Sequence, residues 1–184
     1  MRPSLISLTG FLANHTDRRP LPQLPALHGL GPIAKMRGLL AACNARLERG
    51  GRVPSYAPAS DVIRMPSPAN SLLARATMGQ RRYALDCAHE ATHWTGHRSR
   101  VARISSLDRT TAAYHREELI AEIGSALLLH DLAIRLPTRL PHARYLSSWL
   151  ASLPNPSLEL DIALGRANQA AGYIIALARH NLTR

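Results

Sequence analysis

Residues 87–97 read Cys-Ala-His-Glu-Ala-Thr-His-Trp-Thr-Gly-His, and within them His89-Glu90-Ala-Thr-His93 is an HExxH. On a helix, positions i and i+4 lie one turn apart on the same face, so both imidazoles can reach one tetrahedral zinc while the intervening glutamate points at a water on the metal. That chemistry requires this spacing. Zinc lowers the pKa of its water to about 7, the glutamate takes the proton, and a carbonyl polarised by the same ion is attacked. With nine histidines and six glutamates in 184 residues, chance would place the pattern in about one or two shuffled chains per hundred, so its surroundings decide its weight. Ala84, Leu85, Ala88, Ala91 and Trp94 give the segment the texture of a buried helix, and Gly96 stops it.

Two histidines need a third protein ligand and must leave a position open. The longer HExxHxxGxxH pattern is disfavoured, because Gly96 fits but Ser99 stands where its last histidine would be. Carboxylates come from the next helix, expected from about Thr111 to Ile134, where Leu119, Ile123, Ala126, Leu127 and Ile134 mark the buried stripe. Glu118 and Glu122 share a face, whereas Glu117 is turned about 100° away and is expected toward solvent. Glu118 is assigned as metal ligand and Glu122 as the group that hydrogen-bonds a ligand histidine, with the two roles exchangeable. Pairing of Glu118 and Glu122 with Arg116 or another arginine is the plain alternative. His97, Tyr114, His115 and Tyr173 are candidate substrate contacts or oxyanion donors.

Further out, Ile33, Met36, Leu39, Leu40, Cys43 and Leu47 recur at helical spacing, predicting a helix from about Pro32 to Glu48 ended by Gly50-Gly51. Val53–Pro58 and Asp61–Met65 predict a hairpin or two adjacent short strands. Helical texture returns from about Ser71. Two closing helices are expected over about 142–152 and 155–179, the second capped by Asn155 with Pro156 at its first position. The prolines at 20, 22 and 25 make residues 1–34 an irregular, poorly ordered segment. The expectation is one α+β domain over residues 35–184, mostly helical with a small sheet before the HExxH helix.

Composition bounds the partners. The chain carries 23 basic against 12 acidic residues, net +11, and Lys35 is the only lysine. An arginine surface can track phosphates, and Arg98, Arg100, Arg103 and Arg109, with Arg135, Arg139 and Arg144, form two basic stretches that would meet single-stranded DNA. Aromatic residues are only 4% of the chain, which argues against base-stacking platforms. No apolar run is long enough to span a bilayer. Leu5 to Ala13 is interrupted by Ser7, Thr9 and Gly10, so a cleaved signal is not expected. Two cysteines outside any CxxC spacing fit a reducing, cytoplasmic setting.

Cys87-Ala-His-Glu-Ala-Thr-His-Trp-Thr-Gly-His-Arg-Ser-Arg100, followed by Tyr114-His-Arg-Glu-Glu-Leu-Ile-Ala-Glu-Ile-Gly-Ser-Ala-Leu-Leu129, resembles the zincin-like metallopeptidase domain of ArdC-type antirestriction proteins. Tyr56 to Pro66 is similar to that family's strand pair, and Tyr145 to Leu150 and Ala170 to Ile174 to its closing helices. The resemblance implies a zincin-like fold, Zn²⁺ on His89 and His93 with a carboxylate from residues 117–122, Glu90 as general base, a protein or peptide substrate, and mobile-element biology. The family's single-stranded-DNA-binding N-terminal domain has no counterpart in the roughly fifty residues ahead of the strand pair, and the aromatic residue often seen near Ser71 to Leu73 is missing. Two other readings stay open: a nucleic-acid-associated accessory module with a structural zinc, and an inactive remnant of a longer gene.

Overall fold

The computed structural model describes residues 24–50, 52–67, 77–104, 111–135 and 150–183. After a short 3₁₀ turn at Pro25–Leu27, helix α1 (Pro32–Ala42) leads into β1 (Arg46–Arg49), β2 (Ser55–Ala57) and β3 (Val62–Met65). Helices α2 (Thr77–Thr95), α3 (Ala112–Asp131) and α4 (Pro156–Leu182) complete the described elements. This is the expected mostly helical α+β architecture with a small sheet before the HExxH helix.

The hairpin is present, with Tyr56 opposite Ile63 in antiparallel register. The first helix is shorter than its periodicity suggests. It ends at Ala42, Asn44 takes a left-handed φ of 53°, and residues 46–49 form β1, which pairs parallel to β3 and gives the order β1-β3-β2. Asparagine tolerates that conformation at little cost, so the chain reverses there. Leu47, four residues beyond the buried Cys43, mimicked another helical turn while belonging to a strand.

Helix α2 lies between the sheet and α3, with α1 and α4 closing the other sides. Met36, Leu39, Leu40, Ile63, Met65, Leu119, Ile123, Leu128, Leu129 and Ile174 are almost completely buried together. Gly124 sets the approach of α2 and α3: a Cβ there would lie 2.6 Å from Thr92 Cγ2. Thr111 caps α3 by accepting from Tyr114 N at 3.1 Å, and Asn155 caps α4 through Leu158 N at 3.3 Å with Pro156 at its first turn, as the sequence indicated. Most of the helix expected at 142–152 lies outside the described residues, as do residues 1–23 of the proline-rich segment. Cys43 and Cys87 are free and buried. No described helix is long and apolar enough to cross a membrane.

Candidate metal centre

The buried seam between α2 and α3 collects the polar side chains. Nε2 of His89 and Nε2 of His93 are 3.1 Å apart. Glu118 reaches both: Oε2 is 3.5 Å from His89 Nε2 and Oε1 is 3.7 Å from His93 Nε2. One donor atom from each of the three residues falls within 4.8 Å of the others. Donors bonded at zinc distances of 2.0–2.1 Å sit about 3.3 Å apart along the edges of a tetrahedron, so these separations fit that ion with three protein ligands. The outer nitrogens are also met by carboxylates. Glu122 Oε1 lies 3.4 Å from His89 Nδ1, and Glu117 Oε1 lies 3.0 Å from His93 Nδ1.

Glu117 is the correction here. Its expected solvent exposure assumed a helix with one buried stripe, but residues 119 to 129 of α3 are all buried, leaving no outer face for its neighbour to use. Glu117 is 8% exposed and is gripped by Arg103, whose Nε and Nη2 each donate to it at 2.9 Å. Arg116, weighed as a partner for Glu118 and Glu122, pairs with Glu159 instead.

Charge confirms what the geometry invites. Burial alone would lower the pKa of His89, but hydrogen bonds to Glu118 and Glu122 and the field of Glu122 and Glu90 outweigh it and raise it to about 10. Burial would raise Glu118; His89, His93 and the Tyr114 hydroxyl bring it down to about 2. A seam that keeps Glu118 ionised and favours a charged His89 is one that stabilises positive charge between its carboxylates. Glu90, 8% exposed, is pushed upward by burial, against the pull of His93 and His89, which makes it a better proton acceptor than a surface carboxylate.

The site opens into a cleft of 390 Å³ walled by His89, Glu90, His93 and Glu118, by Pro54, Ser55 and Tyr56 of the β2 edge, and by Tyr114 and Ile104. Of the four further candidates, Tyr114 lines this cleft. His97 instead meets Ser99 Oγ at 2.7 Å, His115 meets Ser152 Oγ at 2.7 Å, and Tyr173 stands beside Trp94 with ring centroids 6.4 Å apart. Two of the arginines read as phosphate contacts are turned inward. Arg103 is spent on Glu117, and Arg100 pairs with Asp61, donates to Trp94 O at 2.7 Å and lies 4.0 Å over the Trp94 ring. Arg98 and Arg135 are exposed, while Arg109, Arg139 and Arg144 lie outside the described residues.

The zincin-like metallopeptidase family matches residues 34–163. The Mn(II)-bound structure of antirestriction ArdC protein from the R388 plasmid superposes with a TM-score of 0.63 at 32% identity, over 88% of this chain and 56% of that one. An uncharacterised protein, y4eC, of Sinorhizobium fredii (strain NBRC 101917 / NGR234) is 30% identical over 91% of this chain and 53% of its own length. DNA primase TraC of Escherichia coli is 29% identical over 98% of this chain but 16% of its own. The chain thus spans about half or less of these relatives. With the HExxH helix, the carboxylate helix and a family match over most of its length, the chain belongs to the zincin-like metallopeptidases.

Proposed function

We propose that this chain is a zinc-dependent metallopeptidase domain that hydrolyses a peptide bond in a protein substrate. The observation that carries the proposal is the convergence of His89, His93 and Glu118 at tetrahedral spacing, with Glu90 on the wall of the same open cleft. Zinc held by these three residues would supply Lewis acidity, lowering the pKa of a water and polarising a carbonyl. Glu90 takes the proton at its carboxylate and returns it to the leaving amine nitrogen. Tyr114, which lines the cleft and whose hydroxyl bonds Glu118, is the candidate donor to a developing oxyanion in this reading. Glu122 and Glu117 hold the outer edges of His89 and His93. Substituting Glu90→Gln is expected to leave zinc stoichiometric while lowering hydrolysis of a generic protein substrate by about 10²–10⁴-fold. Purified protein without zinc, or hydrolysis indifferent to His89→Ala, would overturn the reading.

The setting we infer is cytoplasmic and antirestriction-related, supported by the likeness to the ArdC protein from the R388 plasmid. A second reading, an accessory module that binds single-stranded DNA around a structural zinc, draws on the net charge of +11 and the exposed Arg98 and Arg135. It requires an affinity for single-stranded DNA that falls steeply with salt and survives Glu90→Gln.

A further inference from the structure

We propose that Arg103 is a positioning residue for the metal centre, acting through Glu117 on the orientation of His93. The proposal rests on the metal reading above. After α2 ends, Gly96 O accepts from both Arg103 N and Ile104 N at 3.1 Å, and Ala102 takes a left-handed φ of 53°. Gly96 permits this return, because a Cβ there would lie 2.6 Å from Ile104 Cγ1. The turn therefore delivers an arginine back beneath the helix it has just left, and places Ile104 on the cleft wall.

Arg103 has a side-chain exposure of 6%, against 10% for Glu117. Burying this pair is costly unless both groups are fully engaged. They are. Nε and Nη2 form a two-pronged contact with Glu117, Nη1 donates to Thr95 Oγ1 at 2.8 Å, and Nη2 also donates to Thr92 O. The guanidinium is thus fixed to the last turn of α2 and holds the Glu117 carboxylate plane in one orientation. Glu117 Oε1 in turn accepts from His93 Nδ1, which selects the tautomer whose lone pair is on Nε2 and aims that nitrogen at His89 and Glu118. Without the fork, the carboxylate can rotate and the ring loses its aim. Among the described residues, Arg103 and His93 are the basic side chains that pair with Glu117.

The test is the zinc dissociation constant, measured by competition with a chromophoric chelator, for wild type, Arg103→Lys, Glu117→Gln and the double variant. Melting temperatures of the metal-free proteins are measured in parallel. Each single variant is expected to bind zinc about 10–100-fold more weakly, and the double no more than about threefold more weakly than the worse single. Lysine keeps the charge and loses the fork, so wild-type affinity in Arg103→Lys overturns the proposal, as do losses that multiply in the double or a fall confined to metal-free stability. If Arg103→Lys does not fold, Thr95→Val removes the Nη1 anchor while leaving the Arg103–Glu117 fork itself intact, at the cost of the Thr95 hydroxyl's own bond to Thr92 O at 2.7 Å. A loss of about threefold that vanishes in the Glu117→Gln background then supports the proposal, and unchanged affinity overturns it. Wild type that binds no zinc overturns the metal reading itself, whereas zinc-competent wild type with unaffected variants overturns this inference alone.

Discussion

Glu118 and Glu122, one helical turn apart on α3, divide the two edges of His89 between them: Glu118 Oε2 stands 3.5 Å from Nε2 and Glu122 Oε1 3.4 Å from Nδ1. Their effects on metal binding should therefore differ in kind. Glu118→Ala removes a donor and is expected to leave less than stoichiometric zinc after gel filtration. Glu122→Gln keeps a hydrogen-bonding oxygen beside the ring and should weaken zinc by no more than about 10–100-fold. Metal content by elemental analysis separates the two, and a reversed order would exchange the roles.

Removing the metal should cost stability as well as activity. Four carboxylates, Glu90, Glu117, Glu118 and Glu122, surround two histidines in a largely buried seam, and a cation that binds only the folded form stabilises it by mass action. At free zinc a thousandfold above the dissociation constant this amounts to about 4 kcal/mol. A chelator should lower the melting temperature of wild type and leave that of His89→Ala unchanged.

Much of this site was legible because its information is periodic. The i, i+4 spacing of His89 and His93, and of Glu118 and Glu122, survives folding whenever the helices form, and the gap between those helices has to be crossed only once. Glu117 was not legible. An imidazole has two nitrogens on different edges, so carboxylates 100° apart on one helix can both serve one histidine, a relation that depends on the crossing of α2 and α3 rather than on the pattern of either. Arg103 was hidden for the same reason: its ten-residue separation from His93 carries no period, and only the return over Gly96 brings it home. The strand β1 escaped because its pairing with β3 is long-range, while Cys43 and Leu47 imitate a helical interval.

The close crossing that joins those helices makes Gly124 sensitive. Alanine would gain up to about 1 kcal/mol of helix propensity, but its Cβ would meet Thr92 Cγ2 at 2.6 Å and Oγ1 at 2.9 Å. Thr92 is fully buried and donates to Ala88 O at 2.9 Å, so it has nowhere to swing. Overpacking of about 1–3 kcal/mol should win, lowering the urea midpoint of Gly124→Ala. Adding Thr92→Ser deletes the nearest methyl and should restore part of the loss; a double variant less stable than Gly124→Ala would show that the strain lies elsewhere.

The hairpin that walls the cleft is tied to the turn after α2 by Asp61, which pairs with Arg100 and accepts from the Tyr56 hydroxyl at 2.8 Å. Hydrogen bonding from Arg100, opposed by partial burial, holds the Asp61 carboxyl below its ordinary value. A carboxylate whose pKa is depressed by folding contributes stability that is present above the unfolded value of about 3.9 and is lost as pH falls through the folded value. Asp61→Asn isolates that contribution, because Asp61 has a φ of 52° and asparagine accepts the left-handed region equally well, and because the amide oxygen can still accept from Tyr56. In urea unfolding at pH 6, Asp61→Asn should be the less stable protein. As the pH drops below about 4 the difference should shrink, since wild type loses the same charge by protonation. A gap that stays constant from pH 6 to pH 3 would mean that the ion pair to Arg100 does not contribute to holding the cleft wall in place.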